Sequence, residues 1–178
     1  MKKFPSKLHV TKPNLITTFY FNRMYEKIIE IGKFNEEKTI LDFGSGLGLL
    51  KQKNLQRQNS SIIINYDVIK ELSDVEDWKS IKFDTIVFCE VLYLIDSENI
   101  KKLLNDLRII NSKLEIISVI STHSTINKIG SILLGHKDAH NDTKTPPKLE
   151  REIFLNYCNL LDKKRFYNLF NVLKFNFK

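Results

Sequence analysis

The sequence predicts an α/β protein in three layers: a mostly parallel sheet between helices, with an antiparallel strand at its C-terminal end. Three observations point there. Apolar runs of strand length alternate with stretches of helical periodicity from residue 39 to residue 156. The first run passes straight into a glycine-rich turn and then a helix start, the way strand–turn–helix units are built at the carboxyl edge of a parallel sheet. The chain then closes with two strand-like segments around a turn, a hairpin that a purely parallel sheet would lack.

Residues 14–32 read as an amphipathic helix, with Ile16, Phe19, Tyr20, Tyr25, Ile28, Ile29 and Ile31 on its apolar side, Asn14 as its start and Gly32 as its end. Strand one covers 39–43 and a helix covers about 47–58. The run 61–66 is almost continuously apolar, as in a strand buried on both faces. After a short polar stretch, 83–89 is a second buried strand, 97–111 a helix begun by Asp96 or Ser97, and 114–121 a further strand. A short amphipathic helix is expected over 125–134, ending at Gly135, followed by a polar loop over 136–147 and a helical pattern over 148–156. The tail 160–177 alternates as a strand pair about Asn168.

With 178 residues and 42% hydrophobic content, the chain suits one domain, 1–178, with the helix at about 14–32 as a cap. No apolar run is long enough to span a membrane, and Met1-Lys2-Lys3-Phe4-Pro5 does not begin a signal peptide, so a cytoplasmic protein is expected. Lys and Arg number 28 against 21 Asp and Glu, a formal charge of +7. The lysines are scattered, the longest basic run being Lys163-Lys164-Arg165, which favours compositional bias over a nucleic-acid surface. Cys89 and Cys158 lie far apart in apolar runs without a C-x-x-C motif; buried thiols, rather than metal ligands, are expected.

The turn Asp42-Phe43-Gly44-Ser45-Gly46-Leu47-Gly48 carries most of the functional information. Glycines let backbone N–H groups approach a ligand closely and adopt positive φ. A dinucleotide site wants G-x-G-x-x-G, whereas the spacing here is G-x-G-x-G, a better fit to a nucleoside cofactor. With Asp42 two positions before Gly44, the pattern resembles motif I of the class I S-adenosylmethionine-dependent methyltransferases. The run Phe83-Asp84-Thr85-Ile86-Val87-Phe88-Cys89-Glu90-Val91-Leu92-Tyr93-Leu94 is similar to the FD-x-[IV]-x-x-x-x-V-L-x-x-L strand motif of that family's small-molecule members, and the closing hairpin is similar to the family's inserted antiparallel strand.

The resemblance implies a Rossmann-like methyltransferase fold and S-adenosylmethionine as cofactor, bound by Asp42, Gly44, Ser45, Gly46 and Gly48, with Cys89 and Glu90 near its methionine end. Asp67, just past the second strand, stands where an acid accepts two ribose hydroxyls, the alternative being a strand-end aspartate that caps the next turn. The stretch from Asp67 to Phe83 is too short for a full helix and strand and departs from the family. Within it, Asp77 and Trp78 are the candidates for the adenine, the alternative for Trp78 being core packing. On the N-terminal helix, Tyr20 and Arg23 could meet the cofactor's carboxylate, with core packing and a solvated arginine as the alternatives.

Methyl transfer needs an in-line nucleophile and exclusion of water, and a hydroxyl acceptor gains from a base. The family often has a histidine soon after V-L; here Tyr93 and Leu94 stand there. His123, just past a strand, and His140, in the polar loop, are therefore the candidate bases, and the His136/His140 spacing is a weak metal pattern in a segment unsuited to a helix. The expected reaction is O-methylation of a small molecule, lipid or saccharide. RNA or protein methylation, or a noncatalytic S-adenosylmethionine-binding partner subunit, are the alternatives. An Asn-Pro-Pro-Tyr-like tetrapeptide is absent, which argues against methylation of nucleic-acid bases.

Overall fold

The computed structural model describes residues 15–122, 143–166 and 169–178. Its elements are α1 (Leu15–Gly32), β1 (Thr39–Phe43), α2 (Leu49–Gln56), β2 (Ile62–Tyr66), β3 (Thr85–Cys89), α3 (Ser97–Ile110), β4 (Glu115–Ser121), α4 (Pro147–Tyr157), β5 (Cys158–Phe166) and β6 (Phe170–Phe177). The six-stranded sheet runs β2-β1-β3-β4-β6-β5. Strands β2, β1, β3 and β4 pair in parallel, and β6 is antiparallel to both β4 and β5. This is the mixed sheet that the sequence predicts.

The strands look continuously apolar because both faces are covered. On one face Leu41, Ile86, Phe88 and Ile116 pack with Ile100, Leu104 and Leu107 of α3 and Phe154 of α4. On the other, Ile40, Val87 and Ile117 pack with Met24, Ile28 and Ile31 of α1 and Leu50 of α2. Successive residues of one strand thus serve opposite layers. Met24, Ile28 and Ile31 recur at helical spacing, which is why α1 lies flat on the sheet. Helix α1 ends at Gly32 as expected, but the left-handed residue is Lys33, at φ 52°. A Cβ on Gly32 would run into the Phe34 ring and Ile117. Helix α3 starts where Asp96 accepts a hydrogen bond from Asn99 N at 3.0 Å.

Strand β2 corrects one expectation. It is the sheet edge rather than a strand buried on both faces: Ile63 is buried, but Ile62 is 65% exposed. The cause is the shortened stretch after it, where two 3-10 turns, Lys70–Leu72 and Trp78–Ser80, stand in place of a helix and a further strand. Asp74 and Ser73 bridge to the free edge, Ser73 Oγ donating to Asn65 O at 3.4 Å. Asp74 N donates to Asn65 O at 2.9 Å, and the Asp74 carboxylate accepts from Asn65 N and Lys51 Nζ, each at 2.8 Å.

The helix expected over 125–134 and the loop residues His136 and His140 lie outside the described residues, as do His123 and Asn168. Among the described residues no helix is long and apolar enough to cross a membrane.

Candidate functional site

The carboxyl ends of β1, β2 and β3 converge on the glycine turn. Gly44, Gly46 and Gly48 are all left-handed, at φ 76°, 52° and 67°. Two of them lack a side chain because a neighbour occupies its place: a Cβ on Gly44 would strike Val91 Cγ2, and one on Gly48 would lie 2.6 Å from Asn65 Nδ2. Gly46 is different, since a Cβ there would meet nothing within 4 Å among the described residues. The crown of the turn is therefore open, as a ligand touching backbone N–H groups requires.

Backbone bonds fix the turn to the end of β2, with Gly44 N and Ser45 N donating to Tyr66 O at 2.7 and 3.1 Å. Asp67 completes the clamp: Oδ2 accepts from Gly46 N at 2.9 Å and Oδ1 from Ile69 N at 3.0 Å. Each oxygen keeps a further lone pair for an incoming donor. Asp42, at the end of β1, is 3% exposed, and burial together with the charge of Asp67 pushes its carboxyl up to about 7.

At the end of β3, Cys89 and Glu90 lie beside this turn, and burial pushes both up, the Glu90 carboxyl to about 7. Glu90 adopts φ 54°, rare for a residue with a side chain. Its Oε1 is shielded from solvent and has no hydrogen-bond partner among the described residues. Helix α1 covers the pair: burial first, and then the charges of Glu90 and Cys89, raise the Tyr20 hydroxyl, while Tyr25 is raised by burial and then by Cys89, Asp42 and Glu90. A groove of about 330 Å³ runs beside the turn between α1 and α2, lined among others by Phe21, Tyr25, Leu47 and Lys53.

Away from the turn, a cavity of about 10 Å³, room for one water, separates Glu90 from Glu150 of α4, with Ser121 and Thr143 on its walls. Glu150 is 4% exposed, accepts from Ser118 Oγ at 3.0 Å, and is pushed by burial up to about 8. The approach to α4 is tied to the turn after β3 by Lys144 N and Thr145 N, which donate to Tyr93 O, and by Thr145 Oγ1 on Ile95 O. Sequence reasoning missed Glu150. An acid in the first turn of an amphipathic helix reads as a surface group, and only the packing of α4 across β4 buries it.

Three expected residues are engaged elsewhere. Trp78 is 6% exposed and packs edge-on to Phe43, with ring centroids 5.9 Å apart, so it has the core role that was its alternative. Asp77 caps the short turn that holds Trp78, accepting from Lys79 N at 2.9 Å. Arg23 is half-exposed, pairs with Glu26 at 2.9 Å and lies over the Phe19 ring, so its partners belong to its own helix. Both cysteines are free, and among the described residues no group of three or more His, Cys, Asp or Glu could hold a metal ion.

No protein-family model and no curated protein matches this chain. Solved structures match its shape. The PH0226 protein from Pyrococcus horikoshii OT3 is 12% identical, with a TM-score of 0.63 over 98% of this chain and 96% of that one. N,N-8-amino-8-demethyl-D-riboflavin dimethyltransferase from Streptomyces davawensis is 13% identical, with a TM-score of 0.65 over 91% of this chain but only 56% of that one. Magnesium protoporphyrin IX methyltransferase from Synechocystis PCC 6803, with bound S-adenosylmethionine, is 12% identical, with a TM-score of 0.60 over 94% and 86% of the two chains. At such identities the likeness is one of fold, and the fold is the Rossmann-like one of these methyltransferases.

Proposed function

We propose that this chain binds S-adenosylmethionine and transfers its methyl group to a small-molecule acceptor, with a hydroxyl of a lipid, saccharide or other small molecule as the acceptor group. One observation carries the reading. The Asp67 carboxylate closes a left-handed glycine turn whose crown at Gly46 faces open space, which fits a nucleoside better than a pyrophosphate. The bound cofactor in a neighbour of the same fold supports the choice.

In this reading the turn's backbone lies against the nucleoside, and Asp67 accepts ribose hydroxyls through its remaining lone pairs. Asp42 and Glu90 face the methionine end, while Tyr20 and Tyr25 exclude water from it. When bound, the cofactor supplies an electrophilic methyl group, so positioning contributes more than acid–base chemistry. A hydroxyl acceptor still gains from a base. Glu90, held near neutrality by burial, is available for that task, and His123 and His140 remain the histidine candidates. Asp77, Trp78 and Arg23 have other partners and take no part in the proposed site.

RNA or protein as acceptor is disfavoured by the cations of α2 and its end: Lys51 pairs with Asp74 at 2.8 Å, and Lys53 and Arg57 pair with Glu26. A noncatalytic cofactor-binding subunit draws support from the shortened stretch after Asp67, which offers no exposed aromatic ring for the adenine. Incubation with S-adenosylmethionine and panels of hydroxylated lipids, saccharides and phenols separates the readings. Acceptor-dependent formation of S-adenosylhomocysteine is expected; cofactor binding without product from any panel would favour the subunit. Asp67→Ala should weaken cofactor binding by roughly 1 to 3 kcal/mol through lost charged hydrogen bonds, and an unchanged affinity would contradict the placement.

A further inference from the structure

We propose that Glu150 is a positioning residue for Glu90: across the cavity at the ends of β3 and β4 the two carboxyls hold one water molecule and share one proton through it, with Glu90 as the ionised member. The inference rests on the reading above, in which Glu90 takes the proton of an acceptor hydroxyl, and it names the group that keeps Glu90 ready to do so.

The cavity brings the two acids to one place. Its walls come from Glu90 and Tyr93 after β3, Val119 and Ser121 of β4, and Thr143 and Glu150 on the approach to α4 and in its first turn. A volume of about 10 Å³ holds one water and nothing larger. Polar atoms of its walls lack partners. Glu90 Oε1 and Thr143 Oγ1 are both shielded from solvent with no hydrogen bond among the described residues, and of the two Glu150 oxygens only Oε1 is engaged, by Ser118 Oγ at 3.0 Å. A buried water settles where two to four polar groups converge and satisfies them. Glu90 meets the cavity from a backbone held at φ 54°, a strain of the kind that marks functional positions.

Among the described residues no lysine or arginine neutralises the pair; the titratable groups around it are Tyr20 and Tyr25 of α1, Asp42 of β1, Cys89 of β3 and Tyr93. The opposite end of the sheet provides the contrast, where the partly buried Glu115 has Lys174 at 2.7 Å and Lys38 at 3.5 Å from its carboxylate. Without such a cation two neighbouring buried carboxyls do not both ionise near neutral pH, and one proton stays between them. Burial raises both, and the charge of Glu90 adds to the rise of Glu150. Glu90 is the less deeply buried of the two, so it gives up its proton first. Protonated Glu150 then donates to the water, and the water donates to the Glu90 carboxylate. When the acceptor oxygen takes the methyl group, its O–H bond breaks, the proton moves to Glu90, and that bond's electron pair stays on the oxygen while the C–S pair stays on sulfur.

Carboxyl-carbon NMR of the full chain, labelled with carbon-13 at its glutamates and titrated from about pH 4 to pH 10, tests this without any acceptor. Two signals should titrate above the rest, and each should move in the same two steps, because carboxyls that share a proton each register the ionisation of the other. Two independent single-step curves would overturn the pair, and the native chain decides this even where a variant fails to fold. Glu90→Gln should lower the Glu150 midpoint by about one pH unit or more; an unmoved midpoint would again overturn the pair. Glu150→Leu, which removes the donor to the water, should raise the Glu90 midpoint, whereas Glu150→Gln, which can still donate, should leave it near its native value. A Glu90 midpoint unmoved by Glu150→Leu would overturn the positioning role. Calorimetric titration of the same native sample with S-adenosylmethionine keeps the two claims apart: binding alongside independent carboxyl titrations overturns the pair alone, and no binding overturns the cofactor reading from which the pair takes its role.

Discussion

Valine at Gly46 would place a branched side chain at the open crown of the turn, since no described residue lies within 4 Å of its Cβ. Alanine at Gly44 would strike Val91 in the packed interior instead. The two substitutions should therefore separate binding from folding. Gly46→Val is expected to abolish S-adenosylmethionine binding at a stability cost limited to left-handed strain, about 1 to 2 kcal/mol. Gly44→Ala should lower the melting temperature further. Equal effects on melting, with cofactor affinity preserved in Gly46→Val, would contradict this division of labour.

Glu150 permits a second test on the residue scale. Its folded carboxyl is raised to about 8 from an ordinary 4.5, so the folded state holds the proton more tightly than the unfolded chain. The stability this contributes is full below the ordinary value and is lost as the pH rises through about 8. Glutamine at 150 never ionises and keeps an oxygen for Ser118 Oγ. Relative to the native chain, Glu150→Gln should therefore raise the melting temperature more at pH 8 than at pH 5; an offset independent of pH would contradict the assignment.

On the scale of elements, the shortened stretch after β2 decides what Trp78 does. With its indole against Phe43 and Phe83, Trp78→Ala should cost roughly 3 to 5 kcal/mol of folding stability. Trp78→Phe should leave cofactor affinity nearly unchanged, and a loss of affinity with little loss of stability would restore the indole to the adenine site. Strand and helix positions were legible because their signals are local: short continuous apolar runs in β1 and β3, an Asp96 cap on α3, and helical spacing of Met24, Ile28 and Ile31. The edge position of β2 was not. Its apolar run is the same whether one neighbour or two flank it, and the missing neighbour is a matter of what the chain omits afterwards.

Across the whole molecule, the mixed sheet and the glycine turn that Asp67 closes could be read from the glycine spacing, the acid at 67 and the closing hairpin, because each is a local motif with one structural use. The depth of the site could not. Glu90 was legible, but Glu150 comes from an element separated from it by α3 and β4, and only tertiary packing brings the two to one cavity and buries Glu150. The partner of Arg23 was hidden for the converse reason, since its guanidinium pairs with Glu26, one helical turn away. The central claim is that this fold holds S-adenosylmethionine at the glycine turn. Calorimetric titration of the purified chain at neutral pH, with S-adenosylmethionine, S-adenosylhomocysteine and NAD as a control, tests it most directly. Micromolar binding of the first two with no heat from NAD is the predicted result, and heat from NAD alone, or from none of the three, would contradict it.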